Sequence, residues 1–179
     1  MSNKVFIATS LDGYIADKEG KIDWLHSISN PENNDMGYSR FMEGIDALVM
    51  GRITFETVLS FGIDWPYQKP VFVLSRKLIE IPPQLADKVF LLHGEVKEVL
   101  KTIRARGHQE LYIDGGKTIQ AFLEADLIDE MTISIIPIIL GEGTPLFNKI
   151  AHPLNFRGID CKRYLNTIIQ TTYKRVRSY

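Results

Sequence analysis

A single cysteine, Cys161, stands in a chain of 179 residues, so no intramolecular disulfide can staple the fold. No excess of charge exists either: 21 basic residues face 22 acidic ones, which removes the whole-chain field that would recommend nucleic acid or an anionic membrane as a partner. No apolar run reaches the roughly 18 residues of a membrane span. The longest candidate, Ile133 to Gly141, is interrupted by Ser134 and Pro137 and reads as a buried strand. The first residues pass into strand-like Lys4-Val5-Phe6-Ile7-Ala8 without a basic region or a signal-type apolar core, so a cytoplasmic protein is expected. Repeats, low-complexity tracts and linker-like composition shifts are missing, and the expectation is one domain over 1–179. Two phosphate motifs are begun and not completed. Gly116-Lys117-Thr118 imitates the end of a P-loop but has Leu111 where the first glycine belongs, and Gly141-Glu142-Gly143 starts a Rossmann fingerprint that fails at Leu146. Clusters of metal-ligating residues are also absent, and no metal site is expected.

What is present is a 45% hydrophobic chain, enough for one sizeable core. Apolar strand runs alternate with amphipathic helix-length stretches, which points to an α/β sheet covered on both faces. Strands are expected at Val5 to Thr9, Ala47 to Met50, Val71 to Leu74, Val89 to Leu92, Glu110 to Asp114 and Glu130 to Ile136. Helices are expected at about Asn34 to Glu43, from Thr54, from Glu95 to Arg106, and from Thr118 to Ala125. Two late strands, Phe156 to Tyr164 and Thr167 to Arg175, flank Leu165-Asn166 as a hairpin turn. The long irregular stretch from Leu11 to Asn33 is of the kind that covers a functional site.

Four short signatures sit where strands give way to loops or helices: Ser10-Leu11-Asp12-Gly13-Tyr14-Ile15-Ala16, Met50-Gly51-Arg52-Ile53-Thr54, Val73-Leu74-Ser75-Arg76, and Ile113-Asp114-Gly115-Gly116-Lys117-Thr118-Ile119. The last places two residues without Cβ atoms ahead of a helix N-terminus, a seat for an anion such as pyrophosphate. A tight turn with no ligand is the plain alternative. Gly51-Arg52-Ile53-Thr54 and Ser75-Arg76 offer further amides, guanidinium groups and hydroxyls at neighbouring strand ends, and each alone also reads as an ordinary solvated end. Their joint occurrence describes a dinucleotide laid across several strand ends.

On these signatures, and on the later segment Ile136-Pro137-Ile138-Ile139-Leu140-Gly141-Glu142-Gly143-Thr144-Pro145-Leu146-Phe147, the chain resembles the dihydrofolate-reductase-like superfamily. Within it, the chain is similar to the C-terminal reductase domain of bacterial riboflavin-biosynthesis deaminase-reductases. The resemblance implies a three-layer α/β fold: a mixed, mostly parallel sheet with helices on both faces and a C-terminal antiparallel hairpin. It implies NADPH as cofactor, with Ala8, Thr9, Ile15 and Ala16 on the nicotinamide-ribose side and Gly51, Arg52, Ile53 and Thr54 at the phosphates of the adenine half. Ser75 and Arg76 would take the 2′-phosphate, and Gly115, Gly116, Lys117, Thr118 and Ile119 would seat the pyrophosphate. It further implies a cis peptide between Gly115 and Gly116, and a homodimer paired through the later strands.

Hydride transfer also needs a proton source near the substrate. By analogy with folate reductases the acid would be Asp35, its pKa raised by burial, with Trp24 as the nearby aromatic. Asp35 also belongs to Asn33-Asn34-Asp35, a natural helix-capping cluster. Asp12 reads as a turn residue and Arg40 as solvated. The arginine that grips the glutamate of folate would fall at Lys69, a point charge that cannot copy the two-pronged geometry, and no His-x-Glu or Cys-x-x-Cys signature of a zinc deaminase accompanies the reductase part. The resemblance implies an NADPH-dependent reductase, similar to 5-amino-6-(5-phosphoribosylamino)uracil reductases, acting on a C=N or C=O bond of a small pyrimidine- or pterin-like molecule. A dihydrofolate reductase is the alternative among enzymes, and a non-catalytic NADPH-binding sensor the alternative of another class.

Overall fold

The chain is described by a computed structural model over residues 1–77 and 80–177. It runs β1 (Ser2–Ser10), β2 (Tyr14–Ala16), α1 (Tyr38–Glu43), β3 (Ala47–Gly51), α2 (Arg52–Ser60), β4 (Val71–Leu74), β5 (Val89–Leu92), α3 (Val96–Ala105), β6 (Glu110–Asp114), α4 (Gly116–Glu124), β7 (Glu130–Ile136), β8 (Thr144–Pro145), β9 (Phe156–Tyr164) and β10 (Ile168–Arg175). Eight strands form one sheet in the order β5-β4-β3-β6-β1-β7-β10-β9. Six are mutually parallel, and β10 and β9 join antiparallel as the terminal hairpin. Leu165 and Asn166 turn that hairpin with φ of 47° and 61°, the left-handed pair that matches strand twist.

Strand periodicity decides which side chain goes to which layer. On β3, Ala47 and Val49 join the α3–α4 side, where Val99, Ile103, Ile119 and Phe122 pack; Leu48 and Met50 join the α1–α2 side with Phe41 and Phe55. On β6, Leu111 and Ile113 face α3–α4 and Tyr112 faces α1–α2. Both faces of the central strands are covered, so they read as continuous apolar runs. Phe55, Phe72 and Phe122, each at most 1% exposed, contribute about 1.5–3 kcal/mol apiece by burial.

The strand expected at Glu130 to Ile136 has those bounds and ends there because Pro137 has no N–H to donate to a ladder. One expected element is corrected. The helix expected from Asn34 begins at Tyr38. Residues before it form a turn in which Asn33, Met36 and Gly37 all take positive φ, tied by Asn30 and Asp35 side chains. One small two-stranded sheet was not foreseen: β2 pairs with β8, joining the Leu11–Asn33 stretch to the segment after β7.

Over β7 and β10 the α4 side is left to the segment 147–156. A groove of about 800 Å³ opens there, lined by Ile133, Ile135, Phe147, Ile150 and Leu154.

Candidate functional site

The C-terminal ends of the parallel strands β3, β6 and β1 lie side by side, and on the first two a helix starts directly. Gly51 precedes α2 and Gly115 precedes α4, so two helix N-termini, each with unpaired N–H groups and the positive dipole end, open at one place. Their approach is set by missing atoms. A Cβ on Gly115 would lie 2.1 Å from Thr54 Oγ1, one on Gly116 would lie 2.6 Å from Ile15 Cδ1, and one on Gly51 would lie 3.0 Å from Thr118 Oγ1. Gly115 also holds a φ of 85°, which L side chains rarely adopt. Its peptide bond to Gly116 is trans, since no peptide among the described residues is cis; the turn expected from a cis bond is made by that φ instead.

Ile15, Gly51, Thr54, Gly115, Gly116 and Thr118 are thus brought together, and Ile119 is buried beneath them. The other expected cofactor residues lie around this centre. Ala8 packs with Trp24 on the α1 side, and Thr9, one residue on, lines the groove on the opposite side together with Lys117. Arg52 turns along its own helix and places a guanidinium nitrogen 2.8 Å from both carboxylate oxygens of Glu56, while Ile53 is exposed. One strand further out, Ser75 Oγ donates to the Lys77 carbonyl, and the Arg76 guanidinium lies 3.2 Å from Glu95 Oε1.

A flap closes over Gly116. Asp12 holds it: its carboxylate accepts from Ser10 Oγ at 2.6 Å, from Gly141 N at 2.8 Å and from Leu140 N at 3.1 Å, which keeps its pKa below the ordinary value. Leu146 N donates to the Gly13 carbonyl, and Gly143 sits so close to the Ala16 carbonyl that a Cβ would lie 2.1 Å from it. Asp12 therefore does more than turn its own loop, because it ties together two segments about 130 residues apart in sequence.

The acid is where sequence reasoning and structure part. Asp35 is exposed and caps the entry to α1, accepting from Gly37 N and Ser39 N at 2.9 Å each. Those bonds, from Ser39 first, hold its pKa below the ordinary carboxylate value, the reverse of the expected rise. A carboxyl with a raised pKa stands instead at Asp114, the last residue of β6. Burial pushes it up to about 6, against the opposing pull of the Gly115 N–H at 2.8 Å. By strand alternation Asp114 shares the α1 face with Tyr112, whose hydroxyl donates to the Phe6 carbonyl at 2.9 Å. Tyr38 from α1 and Tyr67 from the loop after α2 complete the group. Burial first, then the Asp114 charge, raises Tyr38 to about 12, and both raise Tyr67 as well. Tyr38 stands edge-on to Tyr112 at 6.4 Å, and Tyr67 to Trp65 at 5.2 Å. The available signal was a charged residue ending an otherwise apolar strand, Leu111-Tyr112-Ile113-Asp114, directly before two glycines. Trp24, the expected aromatic, packs on Ile136 and Ile168, with its buried Nε1 unpartnered. Lys69 acts on Asp46, before β3 at the opposite end of the sheet.

A family model described as the RibD C-terminal domain matches residues 4–169. The chain belongs to that family. It is 56% identical to a putative riboflavin biosynthesis protein from Shewanella sp. PV-4, whose crystal structure it matches with a TM-score of 0.95 over 99% of this chain and 100% of that one. A deaminase/5-amino-6-(5-phosphoribosylamino)uracil reductase from Thermotoga maritima shares the fold at 15% identity and a TM-score of 0.75, over 98% of this chain and 56% of the larger protein. A dihydrofolate reductase from Enterococcus faecalis shares it at 22% identity and a TM-score of 0.61, over 97% and 96% of the two chains. The fold of this family member is therefore dihydrofolate-reductase-like.

Asp114 sets a pH signature on stability. Its folded pKa of about 6 exceeds the ordinary 3.8, so its protonated form favours the native state below pH 4, and that contribution is lost as pH rises through 6. Asp114→Asn, which keeps the shape without the charge, is expected to raise stability by about 2 kcal/mol at pH 7.5 and by little at pH 4. Thermal unfolding of both proteins across that range checks it; a variant less stable at pH 7.5 than at pH 4, relative to the parent, contradicts it.

Proposed function

We propose that this chain is an NADPH-dependent reductase that directs a hydride to a C=N or C=O bond of a small pyrimidine- or pterin-like heterocycle. One observation carries the reading: two helix N-termini converge at the C-terminal end of a parallel sheet, over backbone with no room for a Cβ. That cradle fits a pyrophosphate, whose charge meets unpaired N–H groups and aligned dipoles. Membership of the RibD C-terminal domain family supports it, as does the reductase named for the Thermotoga maritima protein of the same fold.

In this reading Gly51, Thr54 and Gly115 to Ile119 hold the pyrophosphate, with Arg52 and Ile53 beside them. Ser75 and Arg76 receive the 2′-phosphate, and Ala8, Thr9, Ile15 and Ala16 border the nicotinamide side. Bound there, the dinucleotide supplies the hydride. The flap pinned by Asp12 excludes water from the cradle, and Asp114 gives the accompanying proton from its carboxyl, which is protonated below about pH 6. Asp35 is left to its structural bond network. The groove over β7 and β10, next to a β9 edge exposing Ile159, is the face by which two copies of the chain pair.

Titration of the purified protein with NADPH and NADH, followed by cofactor fluorescence, is expected to show saturable binding of both. Arg76→Ala should weaken NADPH about tenfold and leave NADH unchanged; binding of neither dinucleotide rejects the reductase. With a turned-over substrate in hand, kcat should fall as pH rises through about 6, and an Asp114→Asn enzyme of unaltered kcat removes the acid from the mechanism. Light scattering at micromolar concentration should give twice the mass of 20.4 kDa, and a monomer dismisses the pairing.

A further inference from the structure

Arg76 and Glu95 are brought together by the pairing of β4 with β5, although 19 positions separate them in the chain. Leu74 and Leu92 are register partners, and Ser75 N donates to the Leu92 carbonyl at 3.2 Å, so the residues that follow the two strands emerge side by side. His93 Nδ1 donates to the Ser75 carbonyl, while Ser75 Oγ donates to the Lys77 carbonyl at 2.5 Å and accepts from Lys77 N at 3.1 Å. That turn fixes the base of Arg76 and leaves its side chain 87% exposed. Glu95 approaches from the other strand end. It is the residue before α3, and its carbonyl accepts from Glu98 N and Val99 N at 3.0 Å each. A carboxylate beside a helix N-terminus is drawn to the first amides and to the positive dipole end. Among the described residues the Glu95 carboxylate bonds none of the α3 amides and reaches the Arg76 guanidinium at 3.2 Å instead. The contact uses one guanidinium nitrogen and one carboxylate oxygen, so both groups keep donor and acceptor capacity for a ligand.

We propose that Glu95 sets the cofactor preference of this chain, opposing the 2′-phosphate of NADPH and accepting from the ribose hydroxyls of NADH. The proposal rests on the reading of Ser75 and Arg76 as the seat of the adenine ribose and deepens it. An arginine grips a phosphate through a fork of N–H donors, whereas a carboxylate accepts from the hydroxyls of an unphosphorylated ribose. This chain carries both devices at one place, in contact with each other. An ion pair so exposed to water opens at little cost, so it does not bar the phosphate. Opening the pair leaves the charge behind. Glu95 is held by its backbone at the start of α3, and its carboxylate faces whatever anion takes its place on Arg76. Between solvated charges that repulsion changes binding by a few-fold and is screened by salt. NADH leaves the pair intact, and the carboxylate has lone pairs to spare for the ribose hydroxyls. The seat therefore takes both dinucleotides, and Glu95 limits the preference that Arg76 alone would give to NADPH.

The test is fluorescence titration of the parent and of Glu95→Gln, which keeps the size of the side chain and removes its charge, with NADPH and NADH at about 20 mM and about 0.5 M salt. NADPH should bind the variant about fivefold more tightly at the lower salt and less than about twofold more tightly at the higher, while NADH weakens about threefold. Glu95→Asp, which keeps the charge, should hold NADPH within about twofold of the parent. A part for Glu95 in the start of α3 alone moves both dinucleotides together without regard to salt; that result, or an unchanged or lower preference for NADPH in Glu95→Gln, overturns the proposal. Calorimetric titration with adenosine 2′,5′-bisphosphate and adenosine 5′-monophosphate reads the ribose seat without the nicotinamide half. If the bisphosphate gains affinity in Glu95→Gln while neither dinucleotide binds the parent, the proposal stands and the reductase is lost. If both dinucleotides bind the parent and the variant changes neither preference, the reductase stands and the proposal is lost. Binding of none of the four ligands overturns both.

Discussion

The contact between the Gly115 backbone and the Thr54 hydroxyl governs the geometry of everything around it. Adjacent parallel strands lie just under five ångströms apart, and a helix leaving the end of each would ordinarily need side-chain clearance from its neighbour. Here the clearance is absent on both strands. Gly115 gives way to Thr54 of α2, and Gly51 gives way to Thr118 of α4, so the two helix N-termini interlock as reciprocal pairs of glycine and threonine. Any residue with a Cβ at position 115 would push α2 off the sheet or force the backbone from a φ of 85°. Ligand-sized anions reach the amides because the same missing atoms that allow the helices to approach also leave the backbone uncovered.

The flap is built on this foundation. Ile15 rests its Cδ1 where a side chain of Gly116 would be, so the position of β2 depends on that glycine as much as on its own pairing with β8. A two-stranded ribbon of this size has marginal stability by itself. It is held by the Asp12 carboxylate, which collects two backbone amides freed when Pro137 ends β7. The proline that stops the strand and the aspartate that receives the released donors, far apart in the chain, together solve one hydrogen-bonding problem.

Asp35 and Asp114 show how environment, more than residue type, divides structural from chemical roles. Both are aspartates near α1. One lies where a helix entry leaves amides unpaired in water, and those donors stabilise its charge. The other ends a strand whose three preceding residues are buried, beside three phenols, and desolvation stabilises its neutral form. The capping pattern Asn33-Asn34-Asp35 was legible in the residues. The setting of Asp114 was not, because Tyr38 and Tyr67 reach it from segments about 50 to 75 residues earlier, and no local pattern announces that they converge.

The amino-acid sequence by itself determined the order and type of the main elements, since the strand runs at residues 47–50, 71–74, 89–92 and 110–114 are short, apolar and bounded by turn-formers, and the helix after Glu95 carries its apolar residues on one face. It also determined the hairpin turn at Leu165-Asn166 and the glycines at the strand ends. Only the tertiary structure decided that two of those strand ends interlock, that Thr9 and Lys117 face the groove while Ala8 faces the α1 side, and that the carboxyl with the raised pKa is Asp114. The physical reason is that side-chain periodicity and turn chemistry act over a few residues, whereas burial, like-charge neighbours and steric clearance depend on which distant segments the sheet order places side by side.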